Sequence, residues 1–254
     1  MNQENNTQDS SLPVQGAETP GSSSAGKLII PFEDPGKDFF TGLFETIKLV
    51  LFQPTKFFRD YKLDGTMGRP ILFTLVVGWF SSIISLIWGL MISESIFTLF
   101  RTLGEHLPQF EGFEWEQLEH LGASGGVSDF IFGVVMAPVT ILVALFIMAG
   151  IYHLFLMIVK GANKSFETTF NVVAYGMASQ LAQIIPFCGG LISWIYGIVL
   201  GIIGLTEAHE TDSWKAVFAV FSPLLLCCLC CILLILILGG TGALIPIMEK
   251  IPWN

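Results

Sequence analysis

AVFAVFSPLLLCCLCCILLILIL, residues 216–238, runs for 23 residues without a charged or amide side chain. As a helix rising 1.5 Å per residue, such a run reaches about 34 Å, enough to cross the roughly 30 Å hydrocarbon core of a bilayer. Four further apolar runs lie upstream, at 70–92, 130–159, 170–187 and 188–206, and the one at 170–187 is borderline in length. Inside lipid each backbone amide must bond within its own helix or within a closed barrel, and none of these runs has the short alternating pattern of a barrel strand. The expected fold is therefore all-α: a polytopic membrane protein with five transmembrane helices in one membrane domain at 70–238.

Composition points the same way. Hydrophobic residues make up 52% of the chain and charged residues 13%, and the mean hydropathy is +0.68, far from a soluble domain. The net charge of −9 and the lack of any basic face exclude nucleic acid as a partner, leaving the lipid bilayer and other membrane proteins. With a cytoplasmic N-terminus, ten of the cations (Lys27, Lys37, Lys48, Lys56, Arg59, Lys62, Arg69, Lys160, Lys164 and Lys215) fall on the inner side. Only Arg101 and Lys250 then fall outside. The positive-inside rule thus favours N-in and C-out, with a bacterial cytoplasmic membrane as the expected address and ER or Golgi as the alternative.

Residues 1–36 are polar and rich in Ser, Gln, Asn, Gly and Pro, and a disordered cytoplasmic tail is expected there. No basic flank leading into an apolar stretch opens the chain, so the first span is expected to act as an uncleaved insertion signal. At 37–69 an amphipathic juxtamembrane segment follows. Phe40, Leu43, Phe44, Ile47 and Leu51 make an apolar stripe at helical spacing, with Lys48, Lys56, Arg59 and Lys62 beside it. It reads as an interfacial helix in the inner headgroup region, or as a connector packed under the bundle. Residues 239–254 are expected to be a short C-terminal tail.

The loop at 93–129 carries seven acids among aromatic residues, and a solvated surface is expected of it. Its Glu105-His106 and Glu119-His120 pairs point about 100° apart on a helix, so cation binding is not expected. Cys227, Cys228, Cys230 and Cys231 lie mid-span and Cys188 stands between two spans, positions better suited to packing than to a metal. Neither a metal nor a cofactor is expected.

The third span is the most patterned. Asn171, Tyr175, Ser179 and Gln183 recur at four, giving a polar stripe, and Ala174, Ala178 and Ala182 form a small-residue stripe next to it. In the fourth span Gly189, Ser193, Gly197 and Gly201 also recur at four, a groove that admits a neighbouring backbone. Pro186 with Gly189 and Gly190 supplies the break, so the two spans are expected to form a tight hairpin. The polar stripe either joins helices by hydrogen bonds or lines a cavity. His153, Glu207 and His209 are the remaining titratable candidates near the membrane. No nucleophile with a base, paired intramembrane acids, phosphate loop or HExxH motif is present, so an enzyme is not expected.

Phe52-Gln53-Pro54-Thr55-Lys56-Phe57-Phe58, then Arg69-Pro70 entering a span, then Phe170 to Tyr175, Pro186 with Gly189 and Gly190, and Gly204-Leu205-Thr206-Glu207-Ala208-His209 ahead of Lys215-Ala216-Val217 together resemble the Yip1 domain, especially its bacterial branch. The resemblance covers residues 40–238. It implies a five-helix membrane domain with a cytoplasmic N-terminus and an exposed C-terminus. Eukaryotic relatives are associated with Rab GTPases and ER-to-Golgi traffic, and the long acidic first loop departs from their short loops. Two functions of different kinds follow as expectations. One is a non-enzymatic scaffold or adaptor that associates through its glycine and alanine faces. The other is a small transporter or channel using the third-span stripe.

Overall fold

The computed structural model describes residues 27–105 and 127–248. Among them seven α-helices and one 3-10 helix are present, and the sole β-type pairing is an isolated parallel bridge between Leu28 and Tyr61. The helices are α1 (Phe39–Phe52), α2 (Pro54–Asp60), α3 (Gly68–Glu105), α4 (Val127–Ile158), α5 (Phe166–Gly176), the 3-10 helix Met177–Ile184, α6 (Gly189–His209) and α7 (Ser213–Met248).

Among the described residues four helices are long and apolar enough to cross a membrane, over Gly68–Met91, Ser128–Ile158, Gly189–His209 and Ser213–Leu236. They match the first, second, fourth and fifth expected spans within a few residues. Their outer faces carry Phe132, Val135, Leu225 and Ile235, each at least half exposed. Rows of large apolar side chains this exposed need hydrocarbon, not water, against them.

The third run folds differently. It starts as the 11-residue α5, behind Ser165, and continues as eight residues of 3-10 helix. The winding tightens where small residues gather, at Gly176, Ala178, Ser179 and Ala182, and the 3-10 segment packs between α3 and α6. A 3-10 helix turns in three residues, so the four-residue spacing that aligns Asn171 with Tyr175 swings a side chain by about 120° per step beyond Met177.

The ends of these elements are chemically marked. Asp38 caps α1, its Oδ2 accepting from the Phe40 and Thr41 amides at 3.1 and 3.4 Å. Pro54 forces the restart into α2, since proline at the first helical position lacks only an amide that would have no partner there. The hairpin break after the 3-10 helix uses Pro186 as expected, but the left-handed residue is Phe187, with φ of 63°, not a glycine. Gly189 is needed instead for close approach, because a Cβ there would sit 2.4 Å from the Ala182 carbonyl oxygen.

Two expected boundaries move. Residues 27–36, expected within a disordered tail, form an ordered strap. Ile30 and Phe32 of the run Leu28-Ile29-Ile30-Pro31-Phe32 are buried, and the Leu28 amide and carbonyl pair with Asp60 and Lys62 at 2.8 and 2.9 Å. The apolar run supplies the burial that a polar tail lacks. The short C-terminal tail is likewise shorter than expected, because α7 continues through 239–248, whose composition stays apolar. The rest of the expected tail (1–26), the middle of the acidic loop (106–126) with its Glu119-His120 pair, and 249–254 lie outside the described residues.

The core gathers at the end of the bundle where the strap, α1 and α2 pack on the spanning helices. Ile30, Phe57, Phe58, Phe73, Tyr175, Leu200 and Leu205 are among its fully buried members.

Candidate functional site

The expected polar stripe turns inward and is filled by the protein itself. Asn171, Tyr175 and Ser179 are at most 2% exposed. The Asn171 amide donates to the Leu63 carbonyl at 2.7 Å, and the Tyr175 hydroxyl donates to Glu33 Oε1 at 2.6 Å. The Tyr175 ring sits between Phe73 and Phe57, with centroids 4.9 and 5.4 Å away. Ser179 offers its backbone carbonyl to the Ser193 hydroxyl at 3.0 Å. Gln183 leaves the seam, as the 3-10 rotation requires; it is half-buried and its amide bonds its neighbour Gln180.

Two of these bonds therefore reach outside the pair of helices the stripe belongs to. Glu33 lies on the strap and Leu63 on the turn between α2 and α3. A third contact of the same kind runs from the Tyr196 hydroxyl on α6 to the Leu51 carbonyl at the end of α1. In addition, the Thr74 hydroxyl of α3 donates to the Ala174 carbonyl at 3.1 Å. The polar side chains thus fasten a layer made of strap, α1, α2 and the 61–67 turn to the spanning helices. A hydrogen bond between such groups contributes about 0.5–1.5 kcal/mol, and about 1.5–3 when one partner is charged.

Glu33 is the charged member. Burial raises its carboxyl above the usual range, opposed by the Tyr175 hydrogen bond and by the Arg69 and Lys62 charges. Arg69 also lies over the Phe32 ring, 6.0 Å from its centroid.

The small-residue positions pack within the chain. Ala174 and Ala178 are fully buried and Ala182 is half-buried. A Cβ on Gly197 would meet the Ser179 hydroxyl at 3.2 Å, and one on Gly201 would meet Val220 of α7 at 3.2 Å. Gly190 faces open space. Of the larger apolar residues on this span, Ile184 is exposed, while Val173, Met177 and Leu181 are half-buried.

The structure also joins two of the titratable candidates. His153 Nδ1 and His209 Nε2 both lie 2.8 Å from Thr169 Oγ1, and the ring centroids are 6.1 Å apart. Thr169 was not singled out from sequence: a lone threonine in a helix carries no signal until two histidines 56 residues apart converge on it. Glu207 takes no part in these bonds. Among the described residues no group of three or more His, Cys, Asp or Glu is placed to hold a metal, and all five cysteines lie exposed on the outer surface.

Exposed apolar spanning helices around a buried polar seam, in which the Asn171 side-chain oxygen alone of the stripe lacks a partner, define a multi-pass helical membrane protein. The Yip1 domain model matches residues 48–235, most of the chain, and the chain belongs to that family. The match takes in Asn171, Tyr175 and Ser179 and leaves Glu33 outside. No curated protein and no solved structure matches the chain.

Proposed function

We propose that the protein is a non-enzymatic scaffold or adaptor of the Yip1 type, which holds a folded juxtamembrane platform against the inner face of a bacterial cytoplasmic membrane. The observation that carries this reading is the use of the polar stripe: Asn171 and Tyr175 are spent on Leu63 and Glu33 of that platform, not on a path for solute.

Two features support the finer architecture. Eleven residues of α-helix and eight of 3-10 helix together extend about 32 Å, near the thickness of the hydrocarbon core, so the α5 and 3-10 unit serves as a fifth crossing and puts the chain ends on opposite sides. Around α1 the side chains fall into three sectors. Gly42, Thr46 and Val50 are buried against the protein, Phe40 and Phe44 stand 74% and 70% exposed one sector away, and Thr41, Glu45 and Lys48 occupy the third. Protein, lipid and water on three sides is the environment of a helix lying in the membrane interface.

Reconstituted into sealed vesicles, the protein is expected to pass no solute or ion faster than protein-free vesicles do. Flux that Gln183→Leu abolishes would overturn the scaffold reading in favour of a transporter.

A further inference from the structure

Two turns, 159–165 after α4 and 210–212 after α6, meet around His209, which is wholly buried although it ends its helix. The Asn163 amide donates to the His209 and Glu210 carbonyls at 3.0 and 3.3 Å. The Lys164 backbone N–H points at His209 Nδ1 at 3.2 Å.

That last contact fixes where the protons are. A backbone amide only donates, so His209 Nδ1 must be the bare, accepting nitrogen. The neutral ring then carries its proton on Nε2 and donates it to Thr169 Oγ1. The Thr169 hydroxyl is left to donate to His153 Nδ1, which places the His153 proton on Nε2 as well. Every donor meets an acceptor along Lys164, His209, Thr169 and His153 only while both rings are neutral.

We propose that this relay is a protonation-sensitive clasp, holding the α4–α5 and α6–α7 turns together when His209 is neutral and releasing them when it takes up a proton. The proton has one place to bind, Nδ1, where it faces the Lys164 N–H donor to donor. His153 is more forgiving, since the Thr169 hydroxyl can rotate away from a protonated Nδ1. The charges facing the clasp do not offset the gain of a cation. On α5, Glu167 neighbours His153 and not His209. From the two turns, Lys164 is ion-paired to Glu210 at 3.0 Å, and that pair leaves Glu210 already matched. At the start of α7, Lys215 pairs with Asp212 at 3.1 Å and donates to the Lys160 carbonyl. Glu207 is on α6 itself, two residues from His209, and so on a different face of the helix.

The test is hydrogen exchange of the Lys164 amide in the full-length protein in nanodiscs, corrected for the intrinsic effect of pH. Between about pH 8 and about pH 5.5, across the ordinary histidine range, protection is expected to fall by about tenfold or more, the equivalent of at least one pKa unit. In His209→Gln, which keeps an Nε2 donor toward Thr169 but does not titrate, the pH dependence is expected to vanish. Unchanged protection in the wild type, or the same fall in His209→Gln, would overturn the proposal. Should that variant not fold, nitrogen NMR of labelled histidine in the wild type decides: a neutral His209 with its proton on Nδ1 contradicts the relay.

Discussion

Gly189→Ala is expected to remove about 3 kcal/mol of stability, because overpacking alone costs about 1–3 kcal/mol and here the obstacle is backbone. The added Cβ would sit 2.4 Å from the Ala182 oxygen and 2.8 Å from the Gln183 Cα, neither of which can rotate aside. In a chain of this size that loss lowers the thermal midpoint by about 10 °C, measured as retention of monodisperse protein in detergent after heating. Gly190→Ala is the matched control. It adds the same methyl group one residue along, where nothing lies within 4 Å, and the midpoint is expected to stay put. Equal effects at the two positions would mean that the 3-10 helix and α6 do not form the close hairpin described. Gly204→Ala should fall between them, since its Cβ would meet Val172 at 2.5 Å and the Phe58 ring at 3.3 Å, both side chains with some freedom to shift.

The second large effect is at the strap. Tyr175→Phe deletes the donor to Glu33 and leaves a partly buried carboxylate without it, a loss of about 1.5–3 kcal/mol. Glu33→Ala also breaks the bond but removes the carboxylate, so adding it to Tyr175→Phe should cost little more, and the double-mutant coupling should approach the value of the bond. Glu33→Gln separates hydrogen bond from charge. The amide oxygen still accepts from Tyr175, while the burial penalty on the carboxylate disappears. Because burial raises the Glu33 carboxyl in the folded state, the wild type binds more protons folded than unfolded there, and its stability falls as pH rises through that range. The advantage of Glu33→Gln over wild type is therefore expected near neutral pH and should shrink as pH drops into the carboxylate range. Thermal midpoints of the variants at two pH values read all of these differences.

Much of this structure is legible from periodicity. The uncharged runs locate the four long spanning helices to within a few residues, since hydrocarbon leaves a backbone few alternatives. The four-residue recurrence of Asn171, Tyr175 and Ser179 likewise marks a side that turns out to be buried. The pattern misleads at Gln183 because it assumes 3.6 residues per turn throughout, and the 3-10 winding begins at Met177. What the stripe bonds to was beyond reach: Glu33 is 142 residues from Tyr175, and Leu63 is 108 from Asn171. The strap had a visible sign, the run from Leu28 to Phe32, but the surrounding polar composition outweighs five residues when a whole segment is judged. His153 and His209 each look isolated in sequence, and only the packing of α4 against α5 and of α5 against α6 brings them onto one hydroxyl.

The scaffold role requires that the polar seam of α5 and the 3-10 helix be closed to water by the strap, α1 and α2 packed against it. Cysteine accessibility tests it most directly, with the five native cysteines replaced and single cysteines returned at 171 and 179 in the vesicle-reconstituted protein. Neither position is expected to react with a membrane-impermeant maleimide from either side until the protein is unfolded. Labelling of either one in the folded protein would contradict it.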